Sequence, residues 1–310
     1  MSCVQLSCNV TNQIRTRGLL KAPFPCKKIA SMILIPQPIP LEDAWNDVLG
    51  KAMRGADIDD KNLASSANII PSQLKHILAG ERPSEDTLRR LAIAVGLRPT
   101  PFLDLAFGRY KPKPIEASRW PGVTQLPTRY MDIIVNCYLL WDTTSREAIL
   151  FDTGTEMAPL QQTLESHHLK LSAICVTHTH GDHIAILDEV MAAYHPRLYA
   201  PENEPLSKAT LIGEGTEIQV GRLQGKALLT DGHSAGHLSY IVTSPEWPAS
   251  VAVVGDALFA GSMGGGAVSY QRLRQNVQTK LLTLPPATLL CPGHGPITTV
   301  EEEDKHNPFG

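Results

Sequence analysis

The sequence predicts an α/β domain preceded by a smaller all-helical one. Two observations indicate this division: apolar residues recur at helical spacing over residues 41–108, and apolar β-branched runs alternate with helical segments after residue 115. A chain of 310 residues has room for two domains. Lys111, Pro112, Lys113 and Pro114 form a stiff, charged connection between them. We therefore expect residues 41–110 and 115–310 to fold as separable domains.

The first 40 residues are left out of this division. Residues 1–41 contain Arg and Lys but no Asp or Glu, which resembles the composition of organelle transit peptides. Pro36, Pro38 and Pro40 argue against an amphipathic targeting helix. We favour a disordered tail, or translation that begins at Met32, and keep organelle targeting by residues 1–31 as the minor alternative.

The composition is that of a soluble cytoplasmic protein. The net charge of −3 and the pI near 6.4 lack the cationic excess of proteins that bind nucleic acids or anionic membranes. The six cysteines show no paired short spacing, which indicates a reducing compartment. No apolar run reaches the roughly 18 residues of a transmembrane helix. We expect a small-molecule substrate and no membrane partner.

Turn and cap residues delimit the predicted elements. Ser84 is a suitable N-cap, and Gly55, Gly80 and Gly96 follow the ends of helical patterns. The predicted helices cover residues 41–54, 59–67, 71–79, 87–95, 184–194 and 270–282. The predicted strands cover residues 133–141 and 148–151, which form a hairpin, and residues 171–177, 226–230, 239–243, 251–255 and 288–290.

Four potential metal ligands follow one buried strand within six residues: His178, His180, Asp182 and His183. Alternate side chains of an extended segment share a face, so His178 and His180 can bind one ion together. The chain then turns, which would direct Asp182 and His183 to a second ion. Imidazole and carboxylate donors suit zinc, iron or manganese better than magnesium or calcium.

Three further candidates also follow predicted strands, and each lies beside a glycine. They are His233, Asp256 and His294. Glycine lets the backbone bend sharply and approach closely, as a metal site built from several strand ends requires.

The motifs HTHGDH, GHSAGH, GDALF and PGHG resemble, in the same order, those of the metallo-β-lactamase superfamily. The resemblance covers roughly residues 115–310. GDALFAGS, PGHGPITT and the terminal NPFG are similar to the short glyoxalase II-like (hydroxyacylglutathione hydrolase-like) branch. This implies an αββα sandwich with two metals at one edge. By the same resemblance, the first metal is held by His178, His180 and His233, the second by Asp182, His183 and His294, and Asp256 bridges them.

Two Zn²⁺ ions per chain, with iron or manganese as alternatives, would serve hydrolysis. Two cations a few ångströms apart acidify a water between them and stabilise the oxyanion that forms at an attacked carbonyl. We therefore predict a hydrolase of thioesters or esters. The resemblance implies that Asp182 also orients the nucleophile and passes its proton to the leaving group. It further implies that Asp152 supports the metal edge.

One alternative reaction remains for the catalytic domain, and one question remains about its substrate. A mononuclear iron persulfide dioxygenase shares this fold and would use His178, His233 and Asp256 alone. The short family usually shows Gly-Arg-x-Asp after GDxLF, whereas residues 261–267 of this chain contain no arginine. Recognition of anionic glutathione therefore stays open.

The helical domain resembles the phage-repressor (Cro-like) helix-turn-helix over about 65 residues. The resemblance implies that the helix from residue 71 presents Ser72, Gln73, Lys75 and His76 to DNA. Acidic residues slightly outnumber basic ones over residues 41–110, which disfavours phosphate binding. We favour a homo-oligomer formed through this domain, or contact with the hydrolase domain. DNA binding by a metabolite-sensing regulator is the less favoured alternative.

Overall fold

The computed structural model of the protein describes residues 38–310, which belong to one compact unit. The predictions of a tail, a targeting segment or a start at Met32 thus lie outside the described residues. The described α-helices are α1 Trp45–Gly55, α2 Asp60–Ser66, α3 Pro71–Leu78, α4 Glu85–Ala94, α5 Pro99–Ala106, α6 Met157–Ser166, α7 Gly181–Ile184, α8 Leu187–Tyr194, α9 Tyr270–Asn276 and α10 Val300–His306, and a π-helical turn, Val277–Leu281, continues α9. None of them combines the length and the apolar composition that a membrane span requires.

Two six-stranded sheets form the centre of the α/β part. Their strands are β1 Val123–Tyr130, β2 Ile133–Trp141, β3 Glu147–Phe151, β4 Lys170–Cys175, β5 Arg197–Pro201, β6 Thr210–Ile212, β7 Glu217–Val220, β8 Leu223–Leu229, β9 Leu238–Thr243, β10 Val251–Gly255, β11 Leu289–Pro292 and β12 Thr298–Thr299. The first sheet has the order β1 to β6, and the second has the order β12-β11-β10-β9-β8-β7. The predicted hairpin is confirmed, because β2 and β3 pair antiparallel with Trp141 opposite Ala148.

Alternation along the strands explains the layers. On β2, Tyr138 and Leu140 pack in the core between the sheets, whereas Leu139 and Trp141 pack in a separate core that includes Leu160 of α6 and Val190 of α8. Successive strand residues point to opposite faces, so one strand serves both cores. The predicted α/β class with two sheets is therefore confirmed.

The core of the N-terminal helices is continuous with that of the α/β part. Leu49, Leu88 and Phe102 belong to the same buried cluster as Val254 of β10 and Leu273 of α9. The shared core argues against separable domains, and the domain boundary near residues 110–115 stays a prediction. The helix-turn-helix likeness and its partners also stay predictions; the four side chains of α3 that it concerns, Ser72, Gln73, Lys75 and His76, are exposed.

A buried carboxylate links these layers. Glu303 of α10 accepts hydrogen bonds from Tyr110 Oη at 2.6 Å and Thr298 Oγ1 at 2.8 Å, and from Gly261 N and Asn307 Nδ2, each at 2.9 Å. Burial raises the pKa of this carboxyl, and the hydrogen bonds oppose the shift. Glu303 therefore connects the end of the helical part, the loop after β10 and the C-terminal residues.

We predict that a chain beginning at Lys113 is aggregated, or unfolds at a lower temperature than the full chain. Removing α1–α5 uncovers Val254, Leu273 and Phe309, and each large apolar side chain returned to water costs about 1.5–3 kcal/mol. Gel filtration and thermal unfolding followed by circular dichroism test this. A monodisperse fragment with the melting temperature of the full chain would show that the helices are separable after all.

We further predict that Glu303→Ala lowers the free energy of unfolding by at least about 2 kcal/mol, because it leaves buried donors without an acceptor. Glu301→Ala is the matched control: Glu301 lies on the same helix, is exposed and pairs with Lys305, so the free energy of unfolding should hardly change. Urea titration of both variants measures the difference. Equal effects of the two substitutions would contradict the structural role of Glu303.

Candidate metal centre

The seven predicted ligands meet at one edge of the sandwich, where strands end. His178 to His183 run from the end of β4 into α7, His233 follows β8, Asp256 follows β10, and His294 follows β11. The donor atoms form three groups in which all lie within 4.8 Å of one another: His178, His180 and His233; His178, His183 and Asp256; and Asp182, His183 and His294.

The first group consists of three imidazoles, and the carboxylate of Asp256 lies next to them. His180 Nδ1 lies 3.1 Å from His178 Nε2 and 3.0 Å from His233 Nε2. Asp256 Oδ2 lies 3.5 Å from His233 Nε2 and 3.9 Å from His178 Nε2. Four donors at about 2.0–2.2 Å from a tetrahedral ion are about 3.3–3.6 Å apart, so this group is close to the spacing that an ion requires.

The second group has the same spacing and shares the same carboxylate. Asp182 Oδ2 lies 3.4 Å from His294 Nε2 and 3.7 Å from His183 Nε2. Asp256 lies 3.3 Å from His183 Nε2 through Oδ1 and 3.5 Å from His294 Nε2 through Oδ2. Asp256 therefore faces both groups from a position between them.

Two atoms of this cluster carry no hydrogen bond although they are buried. Among residues 38–310, His183 Nε2 and Asp256 Oδ1 are without a hydrogen-bond partner. An unsatisfied buried donor or acceptor costs about 1–3 kcal/mol, and a cation between the two atoms would remove that cost. The residues present thus fit a pair of metal ions in donor type, spacing and unsatisfied atoms.

In three of the rings, a contact of Nδ1 on the far side turns Nε2 toward the cluster. His233 Nδ1 donates to Gly265 O at 2.9 Å, and His294 Nδ1 donates to Ile134 O at 2.7 Å. His183 Nδ1 contacts Asp152 Oδ2 at 2.8 Å. Such contacts fix the ring orientation and the tautomer of a metal-binding histidine.

Asp152 holds two segments of the centre at once. Besides His183, its carboxylate accepts hydrogen bonds from Thr177 N at 2.7 Å and Thr177 Oγ1 at 2.8 Å. Thr177 immediately precedes the HTHGDH motif, so Asp152 anchors the start of that motif and one of its rings. Asp152 thus lies beside the predicted ligands, as the resemblance implied; its effect on metal binding stays a prediction.

His237 is the last residue of the GHSAGH motif, but both of its ring nitrogens contact other groups and neither is a candidate metal ligand. Its Nε2 accepts a hydrogen bond from Asp256 N at 3.0 Å, and its Nδ1 contacts Thr230 Oγ1 at 2.9 Å. Burial, reinforced by the nearby His233, lowers the pKa of His237 to about 3, so the ring is neutral. His237 therefore positions the backbone of Asp256.

The charges of the cluster favour cations. Burial opposes protonation of both His183 and His294. Asp256 and Asp152 nevertheless raise the pKa of His183 to about 10. Asp256 and Asp182 likewise raise the pKa of His294 to about 11. Burial alone would raise the pKa of Asp256, but His294 and His183 hold it well below its usual range. The buried carboxylates thus require positive charge, which protons or metal ions can supply.

The segment around α1 also reaches the centre, which the sequence did not reveal. Glu42 Oε2 lies 3.9 Å from His294 Nδ1. Lys51 Nζ donates to Met263 O at 2.9 Å, and Ser262 Oγ donates to Asp43 Oδ2 at 2.5 Å. These contacts hold the loop that follows Asp256. More than 200 positions separate the two sides, and no local motif signals such a pairing.

A histidine and carboxylate cluster at the edge of a two-sheet α/β fold is the arrangement of a metal-dependent hydrolase. The chain belongs to the metallo-β-lactamase superfamily, whose model matches residues 131–294. Helices α1–α5 lie outside the matched residues.

Similar proteins cover a little more than half of the chain. The probable metallo-hydrolase YqgX of Bacillus subtilis is 34% identical over 203 residues, which are 57% of this chain and 92% of YqgX. The hydroxyacylglutathione hydrolase GloC of Haemophilus influenzae is 28% identical over 199 residues, 56% of this chain and 92% of GloC. The crystal structure of TTHA1623 in a di-iron-bound form is similar with a TM-score of 0.50 and 27% identity, covering 59% of this chain and 99% of TTHA1623.

We predict that Asp152→Asn lowers metal affinity about 10–100-fold without unfolding the protein, because His183 and the start of the motif lose a charged anchor. Asp152 has φ +55°, a conformation that Asn tolerates, so the backbone should persist. Competition with a chromogenic chelator gives the affinity, and circular dichroism checks the fold. Unchanged affinity would show that Asp152 does not support the centre.

Proposed function

We propose that the protein is a binuclear metal-dependent hydrolase of thioesters or esters, similar in reaction to glyoxalase II. The observation that carries the proposal is the position of the Asp256 carboxylate, within 3.3–3.9 Å of imidazole nitrogens from both donor groups. The relative GloC, named a hydroxyacylglutathione hydrolase, supports the thioester. The proposed ligands are His178, His180 and His233 for one ion and Asp182, His183 and His294 for the other, with Asp256 bridging.

The chain's own residues would bind, orient and move protons. The ions, when bound, would polarise the substrate carbonyl and lower the pKa of a coordinated water. Asp182 lies at the partly exposed side of the second group, where its carboxylate can accept a proton from the attacking water and return it to the leaving thiolate. His237 and Asp152 keep the donors in place and take no part in proton transfer.

We propose Zn²⁺ as the native metal, with iron and manganese as competitors. Five imidazoles and two carboxylates suit all three metals. The di-iron-bound form of TTHA1623 is the reason to retain iron as a candidate metal. Only metal analysis of the purified protein decides between them.

The experiment that tests the proposal combines metal quantification with a substrate panel. We expect about two divalent ions per chain and hydrolysis of thioesters in preference to lactones and phosphodiesters. Chelation should abolish the activity, and adding Zn²⁺ back should restore it. One iron per chain together with oxygen consumption would instead support a persulfide dioxygenase and overturn the hydrolase.

We predict that Asp256→Asn lowers kcat/KM at least about 10³-fold and reduces the occupancy of both metals, because a neutral amide does not balance two cations. The matched control is Asp188→Asn, the same change at an exposed carboxylate of α8, which should leave metal content and activity unchanged. Atomic emission analysis and steady-state kinetics give both quantities. Two bound metals and near-normal turnover in the Asp256 variant would contradict the bridging role.

A further inference from the structure

The carboxylate of Glu204 joins the two loops that supply the first donor group. Its Oε2 accepts hydrogen bonds from Thr179 N at 2.8 Å and from Thr179 Oγ1 at 2.9 Å. Its Oε1 accepts one from Gly236 N at 2.7 Å. Thr179 immediately precedes His180 in HTHGDH, and Gly236 follows His233 in GHSAGH. One carboxylate thus contacts both motifs, although it belongs to none of the three donor groups.

The two loops belong to different sheets, so the hydrogen bonds of Glu204 link one sheet to the other. HTHGDH follows β4 of the first sheet, whereas GHSAGH lies between β8 and β9 of the second. Glu204 lies shortly after β5 of the first sheet, where its backbone N donates to Pro201 O at 3.0 Å. A Cβ at Gly236 would lie 3.1 Å from Glu204 N, so the two segments are in direct contact. The first sheet therefore holds the carboxylate, and the carboxylate fixes a loop of the second sheet.

His180 is the candidate ligand whose position depends most on this link. Contacts of Nδ1 orient the rings of the other candidate histidines, which are His178, His183, His233 and His294. His180 instead points its Nδ1 into the first donor group, and its Nε2 forms no hydrogen bond with another of residues 38–310. The ring is thus placed by the backbone at Thr179, which Glu204 holds through both the N–H and the side chain.

We infer that Glu204 is a positioning residue for the ion of the first donor group and has little influence on the ion of the second. Acceptors that lie behind metal ligands typically change metal affinity about 10–100-fold. A carboxylate also holds N–H and O–H donors more strongly than a neutral amide does. The second group has an anchor of its own, because Asp152 contacts His183. The inference rests on the binuclear centre of the function proposed above.

The test measures the affinity of each ion by itself, in two backgrounds. Asp182→Ala removes a donor of the second group, so the tighter Zn²⁺ is bound by the first; His233→Ala does the reverse. Glu204→Gln should weaken Zn²⁺ binding about 10–100-fold in the Asp182→Ala background. It should leave the affinity unchanged in the His233→Ala background. Competition of the full chain with a chromogenic chelator gives both affinities.

The substitution and its control differ only in position. Glu204→Gln keeps the size of the side chain and one acceptor oxygen, but its NH₂ group then faces a donor of one of the two loops. Glu202→Gln is the same change at an exposed carboxylate of the same segment after β5. It should alter the Zn²⁺ affinity in neither background.

Two further measurements separate positioning from a general loss of structure. Thr179→Val removes the Oγ1 hydrogen bond and keeps the one from the backbone, so it should weaken the same ion by a smaller factor than Glu204→Gln. In the otherwise unchanged chain, Glu204→Gln should raise the Zn²⁺ concentration needed for activity, while kcat at saturating Zn²⁺ stays that of the wild type. Glu204 acts through the ligands and does not touch the substrate, so occupancy alone should change.

The outcomes separate this inference from the function on which it rests. If Glu204→Gln weakens Zn²⁺ binding equally in the two backgrounds or in neither, or if kcat stays low at saturating Zn²⁺, Glu204 does not position the first group, and the hydrolase stands. If Thr179→Val leaves the first ion unaffected, the inference also fails alone. If the wild-type protein binds two ions but hydrolyses neither thioesters nor esters, the proposed function is wrong, and the two affinities still decide the role of Glu204.

Discussion

The buried carboxylate of Asp256 is the constraint around which the centre is organised. A carboxylate removed from water is costly unless positive charge lies next to it. The structure supplies imidazoles on two sides and fixes the backbone through the hydrogen bond from Asp256 N to His237. The raised pKa values of His183 and His294 express the same demand, since both rings lie against this carboxylate. A pair of divalent ions would meet this demand more completely than protons.

The same constraint explains why the N-terminal helices cannot be considered apart from the centre. Asp256 begins a loop that must be held on its other side if the carboxylate is to keep its position. Lys51 holds Met263 O, Asp43 accepts from Ser262, and Glu303 accepts from Gly261 N. Because α1–α5 share a core with β10 and α9, a disturbance of the helices is transmitted to the loop.

The sequence predicted most of the fold and the members of the cluster, but not what surrounds them. HTHGDH concentrates four donors in one place, and glycines mark the other strand ends, so the structure brings together residues that the pattern had already paired; their role as ligands stays a prediction. Strand β1 was not predicted; it contains Pro127, which its place at the edge of the first sheet tolerates. Helix α5 was not predicted; it begins at Pro99 and contains Pro101, which fit because the first turn of a helix needs no backbone N–H bonds. The contacts of Asp43 and Lys51 depend on tertiary packing alone.

Metal ligands determine a class of reaction, whereas the walls beside them determine which molecule enters. The wall nearest His233 is a run of glycines, which offers backbone and space but no charge. A charged substrate must then find its counter-charges on whichever element packs against that wall, and here the element is α1.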